Sequence, residues 1–393
     1  MVNKYSNNLN DMDRKKIIII SSIGAGVLIL IGILIYLIIP KSSPAEQPAL
    51  SGSPMASTPS GDNLSSSQNS ILNEILPANI VSFVWSDINQ KFTAISSSGF
   101  LYSINPSDFA VSTTTNFGVS GIIKVVWSPN KSKAVVYRNE NGVLKKFYFD
   151  AISQNITPLG DQIGSVTFSP KSDQILYVFN QLQNSVLKSF LSISNPDGTK
   201  WKNLSAFSMP DTLLYWPSGI KAYAISPASG LLPNSVYSID VKTGALQKFL
   251  AEQNGQQIKF SPSGNGLLYS FVDSRGKNLQ LFYKNLKTNS DTLLPIKTLP
   301  EKCSFDKTEE NVFCAAPNKI SSSAIMPDDY YSNKLNLDDN LWVYNIQSNS
   351  ASQIISSENI TPINIKMLEV SPDNSYIIFI SQKDDRLFRL QIR

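Results

Sequence analysis

Histidine is absent from the 393 residues, cysteine occurs twice, and charged residues make up only 16% of the chain. Without histidine there is no Ser-His-Asp or Cys-His catalysis, no imidazole metal ligand and no histidine acid–base chemistry. Two cysteines alone do not make a zinc site. A formal net charge of +4 is too slight for a dedicated nucleic-acid binder, which carries a strong basic surplus on one face. A Gly-rich phosphate loop, a Gly-x-Ser-x-Gly elbow and a complete calcium loop are also missing. The chain is therefore expected to need no cofactor and no metal, and to bind no nucleic acid.

What the chain does have is unevenly spread. Residues 17–39 form an uncharged run of 23, almost wholly Ile, Leu, Val, Gly and Ala. As a helix the run is roughly 35 Å long, enough to cross a hydrocarbon core of about 30 Å. Arg14, Lys15 and Lys16 precede it and Lys41 alone follows, so the positive-inside rule leaves 1–16 as a cytoplasmic tail. A cleaved signal peptide has a shorter apolar region, and Pro44 interrupts the small-residue site at Ser43-Pro44-Ala45. An uncleaved signal anchor is the favoured expectation, giving a single-pass cell-membrane protein with its bulk outside the cytoplasm. Residues 40–70 carry five prolines among Ser, Ala and Gly. That composition buries too little to offset ordering, and reads as a disordered stalk.

Residues 71–393 repeat. An apolar strand ends in an aromatic, then comes Ser-Pro or a variant, a few polar residues and a second apolar strand. Clear copies are Val125-Val126-Trp127-Ser128-Pro129, Val166-Thr167-Phe168-Ser169-Pro170, Ile258-Lys259-Phe260-Ser261-Pro262 and Leu368-Glu369-Val370-Ser371-Pro372. Weaker ones are Phe83-Val84-Trp85-Ser86, Leu214-Tyr215-Trp216-Pro217 and Lys302-Cys303-Ser304. Taken at 86, 128, 169, 216, 261, 304 and 371, the markers lie 42, 41, 47, 45, 43 and 67 residues apart. A period in the forties built of short strands is the spacing of propeller blades. Pro presets φ in a tight turn and the Ser hydroxyl bonds the turn backbone, so the marker closes a hairpin. The aromatic is expected to face the next blade. A second hairpin follows each marker, as at Lys242-Thr243-Gly244, and two hairpins make one four-stranded blade. The last unit shows only three strands, whereas a spare strand, 71–76, precedes the first. Strand 71–76 is expected to pair with 386–392 and close the ring, leaving no open edge.

The Trp-Ser-Pro and Phe-Ser-Pro markers, with the Asn195-Pro196-Asp197-Gly198-Thr199 hairpin, resemble the repeats of TolB-type propellers and, more distantly, WD40-like ones. The Trp-Asp and Gly-His pairs of true WD repeats are absent, and TolB itself has six blades and no anchor. The resemblance spans 71–393 and implies a fold, not an activity. The expected fold class is all-β: a seven-bladed β-propeller of four-stranded antiparallel blades, preceded by one transmembrane α-helix.

Two places are candidates for chemistry. Cys303 and Cys314 fall on the first two strands of the sixth unit. Outside the cytoplasm they are expected to form a disulfide, against two buried thiols packing as small apolar residues. The same unit holds the long interval, placed between Ala316 and Asp339. Its Asp328, Asp329, Tyr330, Tyr331, Asp338 and Asp339 form the candidate binding loop, expected to favour a basic or cationic partner; a solvated insertion is the plainer alternative. Anchor, stalk and blades use the whole chain. A non-catalytic module binding a protein or cell-envelope component is therefore favoured. An envelope hydrolase with rim carboxylates as a glycosidase-like acid–base pair is the alternative.

Overall fold

The computed structural model describes residues 71–393 apart from 78, 210 and 360–362. The expected tail, membrane span and stalk lie outside the described residues. Among the described residues no helix is long and apolar enough to cross a membrane.

The described chain is built of antiparallel strands in sequence order. Four consecutive hairpin-linked strands form each of four sheets, beginning at Ile80–Ser86, Ile122–Trp127, Ile163–Phe168 and Cys303–Phe305. A fifth sheet takes Ile365–Val370, Tyr376–Ser381 and Leu387–Gln391, and completes itself with Leu72–Leu76. Leu72 lies opposite Leu390 and Leu76 opposite Leu387, the closure expected from the missing strand.

The remaining sheet has seven strands, Leu213–Ser218 to Ser290–Leu293. Its fifteen-residue strand Leu246–Phe260 serves two partners. Leu246 to Leu250 pair with the Pro233–Asp240 strand, and Gln257 to Phe260 with the Gly266–Val272 strand. The sequence suggested two separate four-stranded units here. Asn254-Gly255 is a turn signal in sequence, but both neighbours pair with Asn254 and the Gly255 N–H (φ +64°) donates to the Ser229 carbonyl at 2.7 Å, so the chain passes from one unit into the next without a hairpin.

The Ser-Pro markers do what their chemistry requires. Ser128 Oγ accepts the Lys133 N–H at 3.0 Å, Ser261 Oγ the Gly266 N–H at 3.0 Å, and Ser371 Oγ the Tyr376 N–H at 2.9 Å. In the sixth unit Asp306, not Ser304, performs this role. Its Oδ1 accepts the Glu310 and Asn311 N–H groups at 3.1 and 3.3 Å. The marker there is Phe305-Asp306, because a carboxylate accepts turn N–H bonds as a hydroxyl does.

The core lies between sheets. Trp216 packs with Leu176, Val178 and Leu191 of the sheet before it, Phe168 with Val135 and Tyr148, and Phe305 with Leu268 and Leu281. Each marker side chain therefore faces the preceding sheet, not the next one as expected. Trp85 closes the circuit, packing with Phe83 and Phe92 against Ile378, Ile380 and Leu387 of the last sheet. The residue before each marker has the opposite orientation by strand alternation. Glu369 accordingly reaches forward to the first sheet, where its Oε2 accepts the Trp85 N–H at 2.9 Å.

Candidate functional site: a charged cavity and a closed rim

The seven marker side chains Trp85, Trp127, Phe168, Trp216, Phe260, Phe305 and Val370 line one cavity of about 490 Å³. Its mouth is on the rim of the Ser-Pro turns, where Pro129, Pro217, Pro262 and Pro372 also line it. Phe168, Trp216, Phe305 and Val370 are buried by packing, whereas Trp85, Trp127 and Phe260 keep partial exposure.

Charge enters through the residues that precede the markers. Thr167, Tyr215, Lys259, Ser304 and Glu369 all line the cavity. Lys259 Nζ donates to the Cys303 carbonyl. Burial lowers its pKa, while Glu369 and Glu301 hold it up and Lys131 adds to the fall. Burial raises the Glu369 carboxyl, opposed by Lys131, the Trp85 N–H and Lys259. Burial and the Glu301 charge push the Tyr215 phenol up to about 12. Charges thus alternate as Glu301, Lys259, Glu369 and Lys131, each acting on the next. These positions were legible: aligning the markers exposes a lysine and a glutamate in apolar strands one residue before the aromatic.

Two other carboxylates of the cavity are engaged. Asp87 Oδ1 accepts the Trp85 indole N–H at 3.1 Å and lies 3.5 Å from Lys307 Nζ. Asp306 holds its own turn, as described above.

The candidate loop lies on the other rim, because it joins second and third strands and not first and second. Asp328 Oδ1 accepts the Ser229 hydroxyl at 3.0 Å and its Oδ2 the Gly230 N–H at 2.6 Å. Gly230 is needed here, since a Cβ would sit 2.2 Å from the Met326 carbonyl oxygen. Asp329 Oδ2 accepts the Ile325 N–H at 2.7 Å, and this bond leads the causes that lower its pKa. Tyr330 is buried with Val272, Leu279, Leu299 and Met326, and its hydroxyl donates to the Ile365 carbonyl at 3.4 Å. Tyr331, half-exposed, donates to Glu301 Oε2 at 3.0 Å and accepts from Gln257 Nε2 at 2.5 Å. Asp338 is exposed.

Asp339 is fully buried. Its Oδ1 pairs with Lys302 Nζ at 2.8 Å, both side chains almost without exposure, and its Oδ2 accepts the Ile365 N–H at 2.7 Å. Burial raises its pKa and Lys302 opposes the rise. Of the six candidate residues, Asp328, Asp329, Tyr330 and Asp339 therefore hold the loop in place, while Asp338 and the Tyr331 ring reach the surface. Asn333 Oδ1 also accepts Gln382 Nε2 at 2.5 Å. The loop is thereby tied to the fourth unit at Ser229, the fifth at Gln257, the sixth at Glu301 and the last at Gln382.

Cys303 and Cys314 stand directly opposite each other in their hairpin and are disulfide-bonded, Cα atoms 4.0 Å apart. Among the described residues no group of three or more His, Cys, Asp or Glu side chains is placed to hold a metal ion.

No protein-family model and no curated protein sequence matches this chain. Solved structures do. An oligogalacturonate lyase in complex with manganese aligns with TM-score 0.56 at 9% identity, over 82% of this chain and 93% of that one. The oligogalacturonate lyase of Vibrio parahaemolyticus aligns with TM-score 0.55 at 8% identity, over the same shares. The β-propeller domain of Cps50 (Swd1) from Myceliophteria thermophila aligns with TM-score 0.55 at 11% identity, over 82% and 98%. At such identities the likeness is one of fold: the chain is a β-propeller-like repeat protein, similar to an enzyme and to a WD40-type domain alike.

Proposed function

We propose that this protein is a non-catalytic binding module, a seven-bladed propeller held outside the cytoplasm by a membrane anchor at 17–39 and a stalk at 40–70. Its partner is a protein or another component of the cell envelope. The blade number follows from counting the strand Leu246–Phe260 in two blades, one for each of its partners. The observation that carries the binding role is the convergence of all seven markers on one cavity of about 490 Å³. That size suits a ligand or the end of a partner chain. Partly exposed rings beside charged side chains are the usual composition of a recognition site, where aromatic residues anchor and charges select.

The non-catalytic reading rests on the carboxylates. Asp306 and Asp87 are bound within the protein at the cavity, and Asp328, Asp329 and Asp339 within the loop. Acid–base chemistry of the glycosidase type needs two carboxyl groups free to face one substrate. The enzyme alternative draws on the oligogalacturonate lyases among the structural neighbours. Asp338 and Tyr331 offer a second, smaller contact surface on the loop.

The test is affinity capture from envelope extract with the full chain, comparing a Lys131→Glu/Lys307→Glu variant with one in which Asp328, Asp329, Asp338 and Asp339 are all Asn. Loss of capture in the first variant alone, with unchanged melting, supports the cavity. Loss in the second alone moves binding to the loop. Turnover of envelope polysaccharide by the wild type, abolished by Glu369→Gln, replaces the binding module with an enzyme.

A further inference from the structure

On the loop rim, the connections between second and third strands fall into two groups. In units 1, 5 and 7 they are Ser97-Ser98-Gly99, 273–278 and 382–386, with no large apolar side chain among them. In unit 6 the long loop turns Met326, Tyr330 and Leu337 inward. Units 2, 3 and 4 do the opposite. Val143 and Leu144 stand exposed at the tip in unit 2, and Leu182, Val186 and Leu187 in unit 3. Leu231 and Leu232 do so in the 226–232 connection of unit 4. All seven are 44–73% exposed. Scattered singly, such residues need no explanation; gathered on adjacent units of one rim they mark a contact surface.

Two of these tips project. Counted from the residue opposite the marker, the last cross-strand pair of unit 1 is Ile95–Leu101, three residues along from Phe92. In unit 2 it is Glu140–Val143, six along from Ala134, and in unit 3 Gln183–Val186, eight along from Ile175. At about 3.4 Å per residue the two hairpins reach roughly 10 and 17 Å farther than that of unit 1. Their turns, Asn141-Gly142 and Asn184-Ser185, are uncharged. Two residues after each leading valine comes a lysine, Lys145 and Lys188.

Composition separates two kinds of occupant. Protein interfaces are rich in Trp, Tyr, Met and Arg and poor in Lys. These tips are aliphatic, with no exposed aromatic ring or methionine in 137–146, 180–189 or 226–232. Across the two hairpins four cations, Arg138, Lys145, Lys146 and Lys188, stand against one carboxylate, Glu140, which is tied to Arg138. Asp161 beside them pairs with Lys145, and the balance stays positive. Aliphatic tips above a collar of lysine suit a bilayer interface. There apolar groups sink about 5–10 Å while lysine heads stay among the anionic headgroups.

We propose that this sector of the loop rim docks on an anionic lipid surface. The unit 3 hairpin enters first, the unit 2 hairpin and Leu231-Leu232 follow, and Lys188 and Lys145 meet the headgroups. The contact is independent of whatever the cavity binds.

Cys303 and Cys314 are joined and are the only cysteines, so one introduced cysteine is a unique label site. Leu187→Cys, Leu144→Cys and, on the Ser-Pro rim, Ile152→Cys are labelled with bimane in the full chain. The chain is reconstituted in vesicles of phosphatidylcholine with or without phosphatidylglycerol. With phosphatidylglycerol, quenching by lipids spin-labelled on the acyl chain is expected to be strongest at 187, weaker at 144 and absent at 152. Lys188→Gln and Lys145→Gln should each weaken docking about fivefold, as one charge near an anionic surface implies. Leu182→Ser/Val186→Ser should abolish quenching at 187 with unchanged melting. No quenching at 187, equal quenching at 187 and 152, or quenching indifferent to phosphatidylglycerol overturns the proposal. So does self-association without lipid that Leu182→Ser/Val186→Ser abolishes, which would make the sector a protein interface. A chain held by vesicles with all three labels unquenched overturns the hairpin contact alone; a chain that stays in solution overturns the anchor as well.

Discussion

The two rims of the ring use charge in opposite ways. On the loop rim, Lys302 and Asp339 are paired at 2.8 Å with almost no exposure, and Asp328 is bonded to Ser229 and Gly230. Asp339 and Asp328 there have partners from distant parts of the chain and hold the loop in place. On the Ser-Pro rim, Lys131 and Lys307 sit on exposed turns, and Lys259 and Glu369 face a cavity. Their charges are balanced only in part by the protein. Buried pairs position a loop because breaking them strands a charge in a poor solvent. Half-buried, incompletely paired groups keep affinity in reserve for a ligand. An acidic loop is thus a weak guide to a site when its carboxylates are needed for its own fold.

That contrast can be broken experimentally. The largest effect expected is for Lys302→Met, which leaves Asp339 buried without a counter-ion. A loss of about 3–5 kcal/mol is expected by urea unfolding, with most of it recovered in Lys302→Met/Asp339→Asn. Lys131→Ala on the open rim should stay within about 0.5 kcal/mol. Equal losses would remove the distinction between the rims.

Next comes the bridge beside the cavity. Cys303→Ser/Cys314→Ser should cost about 2–4 kcal/mol, since the bond closes an eleven-residue separation. Reducing agent should shift the wild type to the same midpoint and leave the variant unmoved.

Smaller and more local is Asp328→Ala. It removes the acceptor of the Gly230 N–H and the Ser229 hydroxyl, for about 1–3 kcal/mol. Hydrogen exchange should speed up at 318–338 and remain unchanged at the Ser-Pro turns. Faster exchange at both rims would mean that the loop is part of the ring's global stability.

The smallest effect sharpens the open rim. Burial raises the Glu369 pKa, so the folded protein holds that proton more tightly than the unfolded chain. The resulting stability is present in acid and lost as pH rises from the unfolded carboxyl range, about 4.3, through the raised folded value. Glu369→Gln keeps an acceptor for the Trp85 N–H and removes this slope. Its melting temperature should match the wild type at about pH 4 and exceed it at neutral pH. An unchanged slope would place the titration on another group.

Much of the fold was legible because its signals are local. Ser128, Ser169, Ser261 and Ser371 announce hairpins through the bonds that a serine makes within its own turn. The sixth marker was misplaced at Ser304 because Asp306 performs the same task with a different side chain. The continuous strand through Leu246–Phe260 was not legible. Its middle holds Asn254-Gly255, which reads as a turn, and its partners on both sides decide its form instead. The candidate loop was found by its length, and its chemistry was misjudged because a sequence does not say which carboxylates are already engaged.

The sequence by itself determined the strands, their turns, the marker period and the spare strand that pairs Leu72 with Leu390. These follow from alternation, turn chemistry and the rule that an edge must be covered, all of which act over a few residues or on the whole pattern. The tertiary structure alone decided which charges meet. Lys302 and Asp339 are 37 residues apart, Asp328 and Ser229 are 99 apart, and Glu369 and the Trp85 N–H are 284 apart. No local preference encodes those distances. They are set when the sheets pack into a ring, because packing brings the inner strands together and leaves each charged side chain either a partner or a cavity.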